Sequence, residues 1–182
     1  EKAAQKAAAE AVRGKVAEAM SRGWRAEEGG RSRGRAVGLF CGSGMAELAA
    51  AAEGYEVTDG WDTKQAARWL FKKNHPRAKV HGGSMWDVDE VLKTLGKDAR
   101  KVALMLACPP CPPYTPCSIN MGKDGRDELV TKTVDVFLRS RAECMVMENV
   151  KGMRVDKVWQ AAKRRLEAAG FDVEQAVLKA ER

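Results

Sequence analysis

Three cysteines and five prolines crowd into LACPPCPPYTPCS, residues 106–118, at the end of an apolar run. Cysteines so placed can act as a nucleophile, as metal ligands or as a redox pair. Proline has no amide hydrogen and fixes its own backbone, so PPCPP belongs to neither a helix interior nor a central strand; it is a stiff loop. A cysteine held on such a loop beside a crevice suits a positioned nucleophile, and Cys111 stands there. Cys108 falls at the strand end, where a thiol packs as a small hydrophobe, and Cys117 lies farther out. Structural zinc needs four ligands, usually with a second paired motif, and His75 and His81 lack that spacing. A thioredoxin-like CPPC pair would open a helix, whereas Pro112 continues a loop.

A second reactive group follows another apolar run. In CMVMENV, Glu148 comes directly after Met147. A strand-end carboxylate can be merely solvated, or it can hold a ring nitrogen and exchange a proton with it while a nucleophile attacks elsewhere on the ring. Upstream, LFCGSGMAE places Phe40, Gly42 and Gly44 in a strand-to-helix turn where missing side chains let a ligand approach backbone amides. The turn lacks the third glycine of the dinucleotide fingerprint and is weak evidence alone. Beyond it, TDGWD supplies Asp59 and Asp62 as candidates for ribose hydroxyls, with helix capping as the other role for Asp62. Trp61 lies against a purine or fills the core edge, the commoner role.

The elements that position these groups alternate along the chain. Short apolar runs (RAVGLF, YEVTDG, AKVH, KVALMLA, CMVMENV) are separated by helical patterns (MAELAAAAEG, TKQAARWLFKKN, DVDEVLKTL, RDELVTKTVDVFLRSR, DKVWQAAKRRLEAAG), and FDVEQAVLKA continues the rhythm. That order predicts a mostly parallel sheet with helices on both faces, and ligands bind beyond the carboxyl ends of such strands. Residues 1–21 read as a solvated helix with a thin stripe at Val12, Val16 and Met20, and the Gly/Arg-rich stretch after it as a flexible basic linker. Residues 1–34 thus form an extension, and 35–182 one domain.

The chain has 182 residues, 45% hydrophobic and 31% charged, with a formal net charge of +7. This is a globular composition, and the positive balance suits a polyanionic partner. No window approaches the length of a membrane span, no secretory core opens the sequence, and five cysteines read as reduced thiols; the expectation is a soluble intracellular protein. The first residue is Glu1 rather than Met, which fits a processed chain or a fragment.

Glycine turn, acid, proline-flanked cysteine and strand-end Glu-Asn-Val, in this order, resemble the cytosine-C5 methyltransferase family from Arg35 to Ala180. LFCGSGMAELAAAAEGYEV is similar to its first cofactor motif and WDTKQAARWLFKKNHP to its second; PPCPPYT, DGRDEL and MENVKGM are similar to its catalytic-cysteine, Asp-x-Arg-x-x-Leu and Glu-Asn-Val elements. The resemblance implies a Rossmann-like fold dependent on S-adenosylmethionine. It implies methyl transfer to cytosine in DNA through a Cys111 adduct at C6, with Glu148 at N3 of a flipped base. Phe40, Gly42 and Gly44 then approach the cofactor's methionine part and Asp62 its ribose, with Trp61, Ser84, Pro109 and Leu129 nearby. Pro110, Asn149 and Val150 fall on the substrate side, and no metal is implied.

Departures are equally concrete. Pro112 stands where the family has glutamine, Tyr114 and Thr115 replace phenylalanine and serine, and Ser84, with Asp87 three residues on, stands where an aspartate meets adenine. The chain ends at VLKAER, before the Gln-x-Arg-x-Arg element, the target-recognition region and the closing helix. A second chain supplying the target-recognition region is one expectation. An RNA substrate, as in the family's tRNA branch, and a non-catalytic methyltransferase-like module are the alternative readings. A DNA substrate implies the nucleus or nucleoid.

Overall fold

The computed structural model describes residues 32–98, 100–111, 125–126 and 128–178. The expected N-terminal helix, the linker as far as residue 31, and the loop carrying Pro112, Tyr114, Thr115 and Cys117 lie outside them; the end of the linker is described, and there the Arg33 amide donates to the Gly54 carbonyl at 2.9 Å. Five parallel strands form one sheet in the order β3-β2-β1-β4-β5. They are β1 (Arg35–Leu39), β2 (Glu56–Trp61), β3 (Lys79–His81), β4 (Val102–Ala107) and β5 (Cys144–Met147). The helices are α1 (Met45–Ala52), α2 (Gln65–Asn74), α3 (Val88–Leu95), α4 (Glu128–Ser140) and α5 (Lys157–Ala168), with a 3-10 turn at Lys151–Val155.

Central β1 is buried along its whole length, as a parallel strand covered on both faces must be. Its side chains alternate between layers. Val37 and Leu39 join Met105, Ala107 and the apolar stripes of α3, α4 and α5 in the larger core. Ala36 points the other way, with Leu104, Leu106 and Ala50 of α1. On that second face Phe71 of α2 packs with Cys41 and Ala78. The chain therefore winds α1 and α2 on one face and the remaining helices on the other, reversing direction between β1 and β4. Such a reversal opens a crevice at the carboxyl ends of those two strands.

Side-chain caps start two helices: Asp87 accepts from the Glu90 amide at 3.0 Å and Asp156 from the Val158 amide at 2.7 Å. α2 has no such cap, because its N-cap residue is Lys64. Asp62, a candidate cap from sequence, lies two residues earlier and bonds the Lys64 amide before the helix begins. The stretch 171–178 also differs from a regular strand. Its burial alternates at first, but it is in no ladder.

Candidate active site

The ends of the strands are tied together by their own backbone. The Cys41 amide donates to the Trp61 carbonyl at 2.9 Å, Asp62 to His81 at 3.1 Å, Cys108 to Leu39 at 3.2 Å and Glu148 to Ala107 at 2.9 Å. Each bond continues the sheet one step past a strand. The predicted groups therefore emerge side by side along one edge.

At the first turn Phe40 takes φ 53°. A bulky residue in the left-handed region is strained, and such strain is held at functional turns when the surroundings over-determine it. Gly42 also has φ 53°, with open space where a Cβ would stand, so its backbone faces free volume. Gly44 needs glycine on two counts: its φ is 83°, and a Cβ would meet the His75 ring at 2.7 Å. His75 lies 2.9 Å from the Gly44 carbonyl, and the Asn74 amide donates to the Ser43 carbonyl at 2.7 Å.

Asp62 reaches across from β2. One carboxylate oxygen accepts from the Gly42 amide at 3.0 Å and the other from Lys64 at 2.8 Å. It shapes the glycine turn and keeps lone pairs for a ligand hydroxyl. Asp59 does different work: it is buried, pairs with the buried Arg35 guanidinium at 2.8 Å and lies 2.8 Å from Nε2 of the half-buried His81. Burial alone would raise the Asp59 carboxyl, but the hydrogen bonds from His81 and Arg35 outweigh it and hold the pKa down at about 2. Of the two aspartates, only Asp62 stands at the turn. Trp61 is 2% exposed and stacks on His81 with ring centroids 4.5 Å apart, so it lies in the core and offers the edge no free face.

Ser84 accepts from the Trp86 amide at 3.3 Å, and Asp87, the neighbouring acid, is committed to the α3 cap. Leu129 is buried in the first turn of α4 within the larger core, behind the edge rather than on it.

On the other side of the crevice the geometry separates the cysteines. Cys41 is buried. Burial, with Glu47 and Asp62 nearby, pushes its thiol far above the usual range. Burial and the nearby carboxylates of Glu148 and Glu47 push the Cys108 thiol up to about 11. Neither is a nucleophile at neutral pH. Cys111 is half-buried, three residues beyond Cys108 on the proline loop. Among the described residues no group of three or more His, Cys, Asp or Glu could hold a metal ion.

Glu148 is exposed at the end of β5, the strand beside β4. Asn149 joins the two motifs: its side-chain amide donates to the Pro109 carbonyl at 3.0 Å, and its own oxygen accepts from the Val150 amide at 2.8 Å. Asn149 thereby fixes the proline loop against the strand end that carries Glu148. Pro109 is buried there, and Pro110 and Val150 are half-buried beside it.

Sequence reading missed Glu47. It is 1% exposed on α1, and one carboxylate oxygen has no partner among the described residues. Gly38 leaves room for it, since a Cβ there would stand 1.9 Å from the other oxygen. Burial raises the Glu47 carboxyl to about 7. A Gly in a buried strand was the available signal, because such a glycine marks the close approach of another group.

Comparison with known proteins bears on this edge. Residues 34–182 match the model of the C-5 cytosine-specific DNA methylase family. The chain is 28% identical over 142 residues to the Type II methyltransferase M.XorII of Xanthomonas oryzae pv. oryzae, covering 75% of this chain and 34% of that protein. It is 25% identical over 130 residues to M.HgiGI of Herpetosiphon aurantiacus, covering 70% and 99%. In fold it is similar to a putative DNA modification methyltransferase encoded within an E. coli prophage, at TM-score 0.61 and 20% identity over 75% of this chain and 37% of that one. It also resembles the Dnmt2 methyltransferase of S. pombe, at TM-score 0.54 and 19% identity over 75% and 40%. The chain spans about a third of M.XorII and 46% of M.HgiDI, a relative from Herpetosiphon aurantiacus. The fold is that of Rossmann-like S-adenosylmethionine-dependent methyltransferases, and with the family model matching most of its length, this chain belongs to the C-5 cytosine-specific DNA methylase family.

Proposed function

We propose that this chain is the catalytic part of a cytosine-C5 methyltransferase acting on DNA, with Cys111 as nucleophile and Glu148 as its carboxylate partner. The observation that carries the reading is the Asn149 to Pro109 hydrogen bond, which holds the cysteine loop and the strand end of Glu148 to each other. Cytosine C5 is a poor nucleophile. Addition of the Cys111 thiolate to C6 moves electron density to C5, and Glu148 at N3 stabilises the charge that develops on the ring. After C5 takes the methyl group it loses its proton, the C6–S bond breaks, and the thiolate returns.

The glycine turn fits the cofactor. Open space in front of Gly42 leaves its backbone accessible, and Phe40, Gly42, Gly44 and Asp62 would hold the group, with Ser84 and Pro109 at its margins. S-adenosylmethionine, when bound, supplies an electrophilic methyl group. Buried Trp61 and Leu129 support the pocket from behind. Pro110, Asn149 and Val150 border the substrate side.

A target-recognition element completes the enzyme, in the same polypeptide or as a second chain, and a DNA substrate locates it in the nucleus or nucleoid. Among the described residues no helix is long and apolar enough to cross a membrane. Transfer of labelled methyl groups to DNA and to tRNA, each assayed with and without a polypeptide supplying target recognition, tests the proposal. Incorporation into DNA cytosine at C5, lost in Cys111→Ser, is expected. Incorporation into tRNA alone would replace the substrate, and incorporation into neither would remove the activity.

A further inference from the structure

The positive charge of this chain is concentrated in one stretch. From Thr63 to Trp86 there are six cations, Lys64, Arg68, Lys72, Lys73, Arg77 and Lys79, and no aspartate or glutamate. That stretch alone supplies six of the seven net positive charges, and the cations and acids of the rest nearly cancel. It forms α2 and β3, at the opposite end of the sheet from β5. Several surface cations elsewhere have carboxylate partners: Arg139 has Asp89, Arg165 has Asp135 and Lys101 has Glu143. None of the six has one among the described residues. Arg68 and Lys72 instead fasten α2 to β3. Arg68 donates to the Asp62 and Thr63 carbonyls at 2.9 and 2.7 Å and lies beside Gly82, just past the end of β3. Lys72 donates to the Ala78 carbonyl at 2.7 Å, just before its start. The acids Glu56, Asp59 and Asp98 share a hollow with Arg77 and Lys79, but Arg100 and Arg35 hold them.

The needs of the helix do not account for this pattern. Lys72 and Lys73 suit the last turn of α2, yet Lys64 stands at the N-cap, where a cation opposes the helix dipole. Solvated helix faces carry charges of alternating sign, and this one carries a single sign. The same stretch exposes two tryptophans, Trp69 at 61% and Trp86 at 45%. Lys73 Nζ lies 5.4 Å over the Trp69 ring, so cation and aromatic meet solvent together.

We infer that the surface formed by α2 and β3 is a second DNA contact, which holds the sugar-phosphate backbone of the duplex outside the crevice of Cys111 and Glu148. A duplex carries one negative charge per about 1.7 Å of its axis, and a surface of one sign gains by releasing the counterions that surround them. Such contacts position the duplex without reading its sequence. Trp69 adds an apolar ring for deoxyribose and an N–H for a phosphate oxygen, while Lys73 covers one of the faces on which an unpaired base would stack. β3 stands three strand spacings, about 14 Å, from β4, whose end leads to Cys111. A duplex covers that distance in less than half a helical turn. The inference rests on the DNA substrate proposed above and not on the chemistry of Cys111.

Fluorescence anisotropy of the whole chain with a labelled DNA duplex of about two helical turns, over a series of salt concentrations, tests it. The triple variant Lys73→Gln, Arg77→Gln, Lys79→Gln should bind about tenfold or more weakly at low salt, with the slope of log K against log salt reduced by roughly 2–3. A control variant, Lys93→Gln, Lys97→Gln, Arg164→Gln, removes the same charge from exposed positions around α3 and α5 and should leave the slope nearly unchanged. Binding should quench Trp69 emission, and that part of the signal should be missing from Trp69→Phe. Equal losses in the two triple variants, an unchanged slope in the first, quenching that survives in Trp69→Phe, or tighter binding of single-stranded DNA than of duplex would overturn the inference. With a target-recognition polypeptide added, the first variant should raise KM for DNA and leave kcat unchanged. Methyl transfer together with equal losses would remove this surface and leave the proposed activity. Binding that depends on the surface, without methyl transfer, would do the reverse.

Discussion

Replacing Glu47 by Gln should change how stability depends on pH, and the size follows from where the side chain sits. Glu47 is 1% exposed, wedged over Gly38, with an unpartnered oxygen. Burial raises its carboxyl from an ordinary 4.5 to about 7. The folded chain therefore holds a proton that the unfolded chain has released between those values. The stabilising contribution of the neutral acid is complete below pH 4.5 and is lost as pH rises through 7. At about 1.4 kcal/mol per pH unit the loss amounts to roughly 3 kcal/mol. Glutamine has nearly the same shape and stays neutral, although its unpaired N–H costs about 1 kcal/mol. Urea unfolding from pH 5 to pH 8 should show the variant slightly less stable than wild type at pH 5 and about 2 kcal/mol more stable at pH 8. Parallel profiles across that range would refute the reasoning, because Glu47 would then titrate alike in both states.

Gly38→Ala brings a Cβ to 1.9 Å from the Glu47 carboxylate and should cost about 1–3 kcal/mol. In a double-mutant cycle with Glu47→Ala most of that cost should disappear, and additive losses would show that the two do not collide. Arg35→Met strands Asp59 in the interior beside His81 and should cost about 3–5 kcal/mol in urea unfolding. A loss under about 1 kcal/mol would mean that His81 alone satisfies the carboxylate. Asp59, held at about 2, supports the fold above pH 3.8, and that support is lost as pH falls toward 2. Acid unfolding of Asp59→Asn should accordingly be less steep than that of wild type. Asp62→Ala removes the acceptor of the Gly42 amide and should weaken S-adenosylmethionine binding by about tenfold or more in calorimetry. Unchanged affinity would take Asp62 out of the cofactor site.

The sheet was legible because β1, β4 and β5 are mainly apolar runs and the helices between strands carry spaced stripes, patterns that survive without knowledge of partners. Gly42, Asp62, Cys111 and Glu148 were legible because each follows an apolar run, which places it at a carboxyl edge. Less of the detail could be read. Asp59 and Asp62 look alike in TDGWD, and only the fold shows that Arg35, 24 residues upstream, takes Asp59 into the interior. The burial of Glu47 depends on a glycine in a different element. Asn149 as the tie between two motifs depends on Pro109, 40 residues away, and no local pattern announces a bond of that separation. FDVEQAVLKA carries a strand-like alternation, yet among the described residues it joins no ladder.

The central claim is that the Cys111 thiol attacks cytosine. DNA carrying 5-fluorocytosine, incubated with the chain, a target-recognition polypeptide and S-adenosylmethionine, tests it directly, because fluorine blocks the loss from C5 that frees the enzyme. Mass spectrometry of the digested protein should find the nucleotide, methylated at C5, bound to the peptide containing Cys111 and absent from Cys111→Ser. An adduct on Cys108 or Cys41, or none from a folded chain that binds the cofactor, would contradict the account.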